Sequence, residues 1–141
     1  MSHILTTDRL ILSYEPDIET LDWIGGGRCG VYYLWIGSTS AGAISMTSSS
    51  STCGEIGYEM EPAYRGLGYA TEALAAVVGV ASHYHRFTLL SARAYAGNTA
   101  SRRVLEKTGF TPVSSKLEWC DLTSEAVNVV KYRRIAMAAS S

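Results

Sequence analysis

The chain has 141 residues, enough for one ordinary hydrophobic core and too few for two comfortable ones. Apolar residues make up 47% and charged residues 18%, a balance unlike the polar, highly charged composition of disordered sequences. Twelve basic and 13 acidic residues leave a net charge of −1, which lacks the electrostatic footprint of a general nucleic-acid binder.

Residues 1–12, MSHILTTDRLIL, lack the basic start, apolar middle and small-residue end of a signal peptide. Leu10-Ile11-Leu12 with Tyr14 reads as a first strand. Glu15-Pro16-Asp17 then offers helix-start chemistry for a short helix over residues 18–24, stopped by Gly25-Gly26-Gly27. Residues 31–36 are β-branched and aromatic, and Gly37-Ser38-Thr39-Ser40 separates them from a second run at 43–47, so the pair predicts a hairpin. Tyr32, Tyr33, Trp35 and, later, Trp119 are candidates for lining a pocket, although aromatic strand residues more often fill a core. The four serines at 48–51 read as a surface loop.

Residues 55–61 alternate, with Ile56, Tyr58 and Met60 on one face and Glu55, Gly57, Glu59 and Glu61 on the other, as a half-buried strand does. After it, Ala70, Ala73, Leu74, Val77, Val78 and Ala81 form one helical stripe. The nearly apolar run at 73–81 is about half the length of a membrane span, so no membrane segment and a cytoplasmic location are expected. His83 and His85 stand two apart at the end of this helix, away from the i, i+4 spacing of a helical metal pair, and favourable helix-end charge accounts for them. Residues 88–94 make another strand. Asn98 stands at an N-cap position before a helix carrying Ala100, Val104 and Leu105 and ending at Gly109. Residues 112–119 and 127–135 complete the chain as strands. Cys29, Cys53 and Cys120 match no metal-ligand spacing and read as free thiols.

Between the strand at 55–61 and its helix the chain reads PAYRGLGYATEAL, residues 62–74. A strand, a glycine-rich loop and a helix start make an anion site, because the first helical turn leaves N–H groups unpaired and its dipole favours negative charge. A nucleotide P-loop would need Gly-Lys-Ser/Thr where Gly68-Tyr69-Ala70 stands, and a dinucleotide fingerprint would need a small residue at Thr71.

Arg65-Gly66-Leu67-Gly68-Tyr69-Ala70 fits the pattern Q/R-x-x-G-x-G/A. It resembles the segment that grips the pyrophosphate of coenzyme A in the GNAT acetyltransferase superfamily. The run Asn98-Thr99-Ala100-Ser101-Arg102-Arg103-Val104-Leu105-Glu106-Lys107-Thr108-Gly109-Phe110 resembles the N-x-A-S-x-x-V-L-E-K-x-G-F signature of its RimJ/RimL-like branch, and Thr7-Asp8-Arg9-Leu10-Ile11-Leu12 resembles that branch's first strand. The resemblance implies an α/β (α+β) fold in one domain over residues 1–141. It has a mixed, mostly antiparallel sheet of about seven strands, flanking helices and a shortened N-terminal helical region.

The resemblance also implies acetyl-CoA as donor and a primary amine as acceptor; the histidine and cysteine spacings assign no metal. The amides of residues 65–70 would hold the pyrophosphate, and the main chain of Tyr58, Glu59 and Met60 would pair with the pantetheine arm in a gap between splayed strands. A main-chain N–H near Met60 would receive charge on the thioester oxygen. Asn98 would reach the cofactor arm, serve as the helix N-cap, or do both. Ser101 matches the serine taken as the acid that returns a proton to the leaving thiolate. The superfamily's commoner helix tyrosine falls at Leu105. For the base the candidates are Glu118, Glu59 and Glu55, each with the alternative of an ordinary solvated carboxylate.

Only about sixteen residues, 15–30, stand where this branch builds two helices that wall the acceptor groove. An open groove suits a macromolecular acceptor such as a protein N-terminus, or a homodimer whose partner completes the wall. A small-molecule amine is the alternative acceptor. A non-catalytic acyl-CoA sensor or interaction module is the alternative function.

Overall fold

The computed structural model describes residues 3–16, 30–48, 50, 52–82 and 84–136. The expected short helix at 18–24, the GGG break, Cys29 and His83 lie outside these residues.

The strands are β1 (His3–Thr6), β2 (Ile11–Pro16), β3 (Gly30–Ile36), β4 (Thr39–Ser48), β5 (Cys53–Met60), β6 (Leu89–Tyr95), β7 (Thr111–Cys120) and β8 (Glu125–Ile135). Alternation in the sequence becomes pleated strand in β2 to β6. The strands form one sheet in the order β1-β2-β3-β4-β5-β6-β8-β7. That is one strand more than expected. The addition is β1, which pairs with β2 from His3↔Tyr14 to Thr6↔Ile11. Every neighbouring pair is antiparallel except β5 and β6, which are parallel and joined through the helix α1 (Tyr69–Ala81).

The buried side of α1 is the expected stripe: Ala73, Leu74, Val77, Val78 and Ala81. Burying each large aliphatic side chain is worth about 1.5–3 kcal/mol. The second helix, α2 (Thr99–Lys107), adds Leu105, which is 1% exposed. Both helices share their core with Ile56 and Met60 of β5 and with Leu90, Ala92 and Ala94 of β6, so both lie on one face of the sheet. The opposite, open face carries Glu55, Arg93, Lys131 and Glu118, one from each of β5, β6, β8 and β7.

The aromatic candidates divide. Tyr32 is wholly buried, with its hydroxyl 2.7 Å from His85 Nε2. His85 is therefore a core histidine beyond the end of α1, and helix-end charge does not explain it. Its ring meets Tyr14, Tyr32 and Tyr84 edge-on and stacks with Phe87. Burial pushes the Tyr32 hydroxyl far above the ordinary phenol range, with Tyr14 and Tyr84 adding to the shift. Tyr33 and Trp35 point to the open face, where Trp35 Nε1 donates to Ser13 Oγ at 3.0 Å. Trp119 is 65% exposed on the edge strand β7.

No described helix is long and apolar enough to cross a membrane. Among the described residues no group of three or more His, Cys, Asp or Glu side chains is placed to hold a metal ion.

Candidate active site

β5 and β6 stay paired for only four residues, from Cys53↔Leu89 to Ile56↔Ala92. Beyond that point β6 stays with β8 as far as Tyr95↔Val129, while β5 stays with β4 as far as Met60↔Gly42. A gap opens between them. The Glu61 N–H donates to Ala41 O at 2.8 Å, on the β4 side. Alternation along the strand therefore turns the main-chain groups of Tyr58 and Met60 away from β4 and into the gap. Met60 O lies on that side, where it accepts from Arg65 Nε at 3.0 Å.

The gap continues into a cleft of about 710 Å³. One wall is β5 through Tyr58, Glu59 and Met60; another is the loop and first turn of α1, through Arg65, Gly66, Gly68, Tyr69 and Ala70; the third is α2, through Asn98, Ser101, Arg103 and Lys107. Ten of the residues named from the sequence line this cleft; Leu67 does not, and Glu55 and Glu118 line a separate recess. Leu67 contributes main chain: its carbonyl accepts from Arg9 Nη1 at 2.9 Å, and its side chain is 54% exposed.

The two loop glycines have a conformational reason. Gly66 has φ 75° and Gly68 φ 84°, in the left-handed region that L side chains rarely adopt. Gly68 is also the N-cap of α1 and supplies no side-chain cap. The first-turn amides of α1 are therefore not closed off by their own N-cap side chain, and the residues that carry them, Gly68 to Thr71, line the cleft at the positive end of the helix dipole.

A clamp secures this loop from the far side of the sequence. Glu72, in the first turn of α1, accepts from the Thr7 hydroxyl, from Arg9 N at 2.9 Å and from Arg9 Nε at 2.7 Å. Arg9 also lies over the Tyr69 ring, 4.1 Å from its centroid. Partial burial pushes the Glu72 carboxyl up, but these hydrogen bonds outweigh it and hold it below the usual carboxylate range. The Arg9 guanidinium is raised correspondingly, chiefly by its hydrogen bond to Glu72.

On α2, Asn98 Oδ1 accepts from Ser101 N at 3.1 Å, so the N-cap role is realised. Ser101 Oγ lies 2.9 Å from the Tyr58 hydroxyl, which is also 3.1 Å from Ser101 O. Arg103 and Lys107 stand one turn apart on the cleft side of α2. Sequence reasoning missed this basic pair, although the i, i+4 spacing was there to find. Arg102, immediately before Arg103, is structural, donating to Tyr132 Oη at 2.8 Å and Ala96 O at 3.0 Å.

The three carboxylates separate. Glu59 lines the cleft at the gap. Glu118 and Glu55 both pair with Arg93, at 3.2 Å each, in a recess of about 440 Å³ on the open face. The structure does not bring Glu118 and Ser101 into one cleft.

Residues 13–111 match the model of the acetyltransferase (GNAT) domain family. The chain belongs to the GNAT acetyltransferase family. No curated protein matches the chain. Among solved structures, a GNAT-family acetyltransferase from Bacillus anthracis is similar at 22% identity and TM-score 0.69, with 75% of this chain and 66% of that one covered. RimL, a ribosomal L7/L12 alpha-N-protein acetyltransferase solved with coenzyme A, is similar at 20% identity and TM-score 0.70, covering 76% of this chain and 62% of RimL. The putative acetyltransferase yncA from Salmonella typhimurium, solved with acetyl-CoA, is similar at 16% identity and TM-score 0.72, covering 87% and 72%. The chain thus spans slightly less than two thirds of the length of the first two. At these identities the three share its fold, the mostly antiparallel GNAT sheet with helices on the cleft face.

Proposed function

We propose that this GNAT chain is an acetyl-CoA-dependent N-acetyltransferase of the RimJ/RimL-like branch, acting as one cytoplasmic domain on a primary amine. The observation that carries the reading is the cleft itself. It combines two positive-φ glycines at an uncapped helix start, an opened strand gap bearing the Tyr58 and Met60 main chain, and Ser101 on the facing helix. A diphosphate fits the loop amides of residues 65–70. Arg103 and Lys107 supply cations for further phosphate oxygens on the other wall. Asn98 and the main chain of Tyr58 to Met60 supply partners for amide groups along an extended arm.

Acetyl-CoA supplies an acyl group activated as a thioester. The N–H of Met60 would receive negative charge on the thioester oxygen in a preorganised way, a type of interaction worth about 2.7–4 kcal/mol per donor. Ser101 would donate toward the departing sulfur. The amine would enter from the open face of the gap, opposite the helices. Of the carboxylates, Glu59 is better placed as base, because it lines the gap, whereas Glu118 is held by Arg93. An ordered water bound by Glu59 would serve equally to carry the proton.

For the acceptor, the reading is a protein N-terminal α-amine or another macromolecular amine. RimL's own acceptor is ribosomal L7/L12, and the sixteen residues available for an acceptor wall leave room for a chain to lie across it. A homodimer would complete that wall from a partner. The acyl-CoA sensor reading draws on Leu105, which is in the core where a helix tyrosine would stand.

The test is mass spectrometry of a lysate treated with the protein and isotope-labelled acetyl-CoA. Labelled protein N-termini support the reading, labelled small amines move the acceptor to the small-molecule class, and no labelled product despite acetyl-CoA binding leaves the sensor.

A further inference from the structure

The cleft has lost the helix tyrosine and kept a phenol. Leu105 is in the core, but Tyr58 reaches across from β5 to the helix and meets Ser101 at two points, Oγ at 2.9 Å and the carbonyl at 3.1 Å. Both residues line the same cleft as the loop that suits a diphosphate. A serine hydroxyl on a partly exposed helix turn has three rotor wells, and only one aims its proton at a given target.

From this contact we infer that Tyr58 is the positioning residue for Ser101, holding Oγ by a hydrogen bond so that the serine's own O–H is presented to the sulfur of bound coenzyme A. This rests on the acetyl-CoA reading of the cleft and deepens it. The phenol has one proton and two acceptors on the same residue. While the serine O–H is turned toward the phenol oxygen, Tyr58 donates to the Ser101 carbonyl; when the serine O–H turns to the sulfur, Tyr58 donates to Oγ instead. No hydrogen bond is stranded in either arrangement. Burial raises the Tyr58 hydroxyl above the ordinary phenol range, and the Ser101 contact offsets only part of this. Tyr58 therefore keeps its proton at neutral pH and is always a donor. Its role needs no proton of its own to leave.

A donor aimed at sulfur stabilises thiolate over thiol, which gives a readout that needs no acceptor. The experiment titrates the thiolate absorbance of coenzyme A bound to the wild type, to Tyr58→Phe, to Ser101→Ala and to the double variant, with steady-state kinetics in parallel. Glu59, Tyr64, Arg65, Tyr69, Arg103 and Lys107, which also line the cleft, are present in all four proteins, so their fields cancel in the comparison. The bound thiol is expected to be about tenfold more ionised at a given pH in the wild type than in Tyr58→Phe, with Ser101→Ala resembling Tyr58→Phe and the double variant no different from either. In turnover, Tyr58→Phe should lower kcat about tenfold with little change in KM for acetyl-CoA, an effect absent in the Ser101→Ala background. Equal thiol ionisation in the wild type and Tyr58→Phe, with both proteins folded and binding coenzyme A, overturns the inference. So does a Tyr58→Phe effect that persists undiminished without Ser101. If the wild type acetylates no amine yet shows the ionisation difference, the acetyltransferase reading falls and the Tyr58 assignment stands.

Discussion

Replacing Glu72 by Gln keeps the shape of the side chain and removes its charge, and the structure sets the size of the result. The carboxylate accepts three hydrogen bonds, from the Thr7 hydroxyl, Arg9 N and Arg9 Nε. Hydrogen bonds to a charged group contribute about 1.5–3 kcal/mol each, but the Arg9 side chain is 43% exposed, so solvent screens its ion pair and the Thr7 and Arg9 N–H contacts dominate. Glutamine keeps one accepting oxygen and turns an NH₂ toward donors, so a net loss of about 2 kcal/mol is expected. For a chain of this size that lowers Tm by about 6–8 °C.

The effect carries a pH signature. The folded Glu72 carboxyl lies below its unfolded value, so its stabilisation is whole above the ordinary glutamate range, about 4.3. It is lost as pH falls through the lowered folded value. Melting curves should show the full gap between wild type and Glu72→Gln at pH 7 and a narrowing gap below about pH 4. Because Arg9 also ties Leu67 O, the acetyl-CoA dissociation constant should rise several-fold in the variant. A Tm within 1 °C of wild type at pH 7, about a quarter of a kcal/mol, would refute the clamp.

Gly68→Asp should abolish the thermal shift with acetyl-CoA, which for wild type at about a hundred times the dissociation constant is worth roughly 2.7 kcal/mol. The substitution puts a carboxylate among the loop amides at φ 84°; a normal shift would mean the diphosphate lies elsewhere. Arg103→Ala with Lys107→Ala should weaken coenzyme A binding about tenfold while pantetheine, which lacks the phosphates, is unaffected in a competition assay. Cys120 has its thiol lowered, first by the Thr123 hydroxyl and amide and then by Leu122 and Tyr95, burial opposing. Thr123→Val should therefore slow its alkylation at pH 7, as read by peptide mass spectrometry.

Local pattern carried a good part of this molecule. The alternation of residues 55–61 and the stripe at 70–81 became β5 and α1 with ends displaced by a residue or two, because each is decided by which face meets the core. The turn that Gly66 and Gly68 make into a helix start was legible because strand, turn and helix start are contiguous in the chain. What pattern did not reveal depends on residues distant in sequence. Glu72 and Arg9 are 63 positions apart, Tyr58 and Ser101 are 43 apart, and nothing near either residue announces its partner. The strand β1 is four residues long, too short for a period, and exists through its pairing with β2. His85 looked like a helix-end charge because its burial comes from Tyr14 and Tyr32, on strands far upstream. The carboxylates at 55, 59 and 118 read alike in sequence; they differ in that Arg93 ties two of them and the strand gap exposes the third.

The central claim is acetyl transfer from this cleft, and the direct measurement is release of free coenzyme A from acetyl-CoA over a panel of N-terminal peptides and small amines. The account predicts coenzyme A release matched mole for mole by acetylated amine, lost in Gly68→Asp and slowed in Ser101→Ala without weaker acetyl-CoA binding. Tight acetyl-CoA binding with no release above hydrolysis for any amine would contradict it.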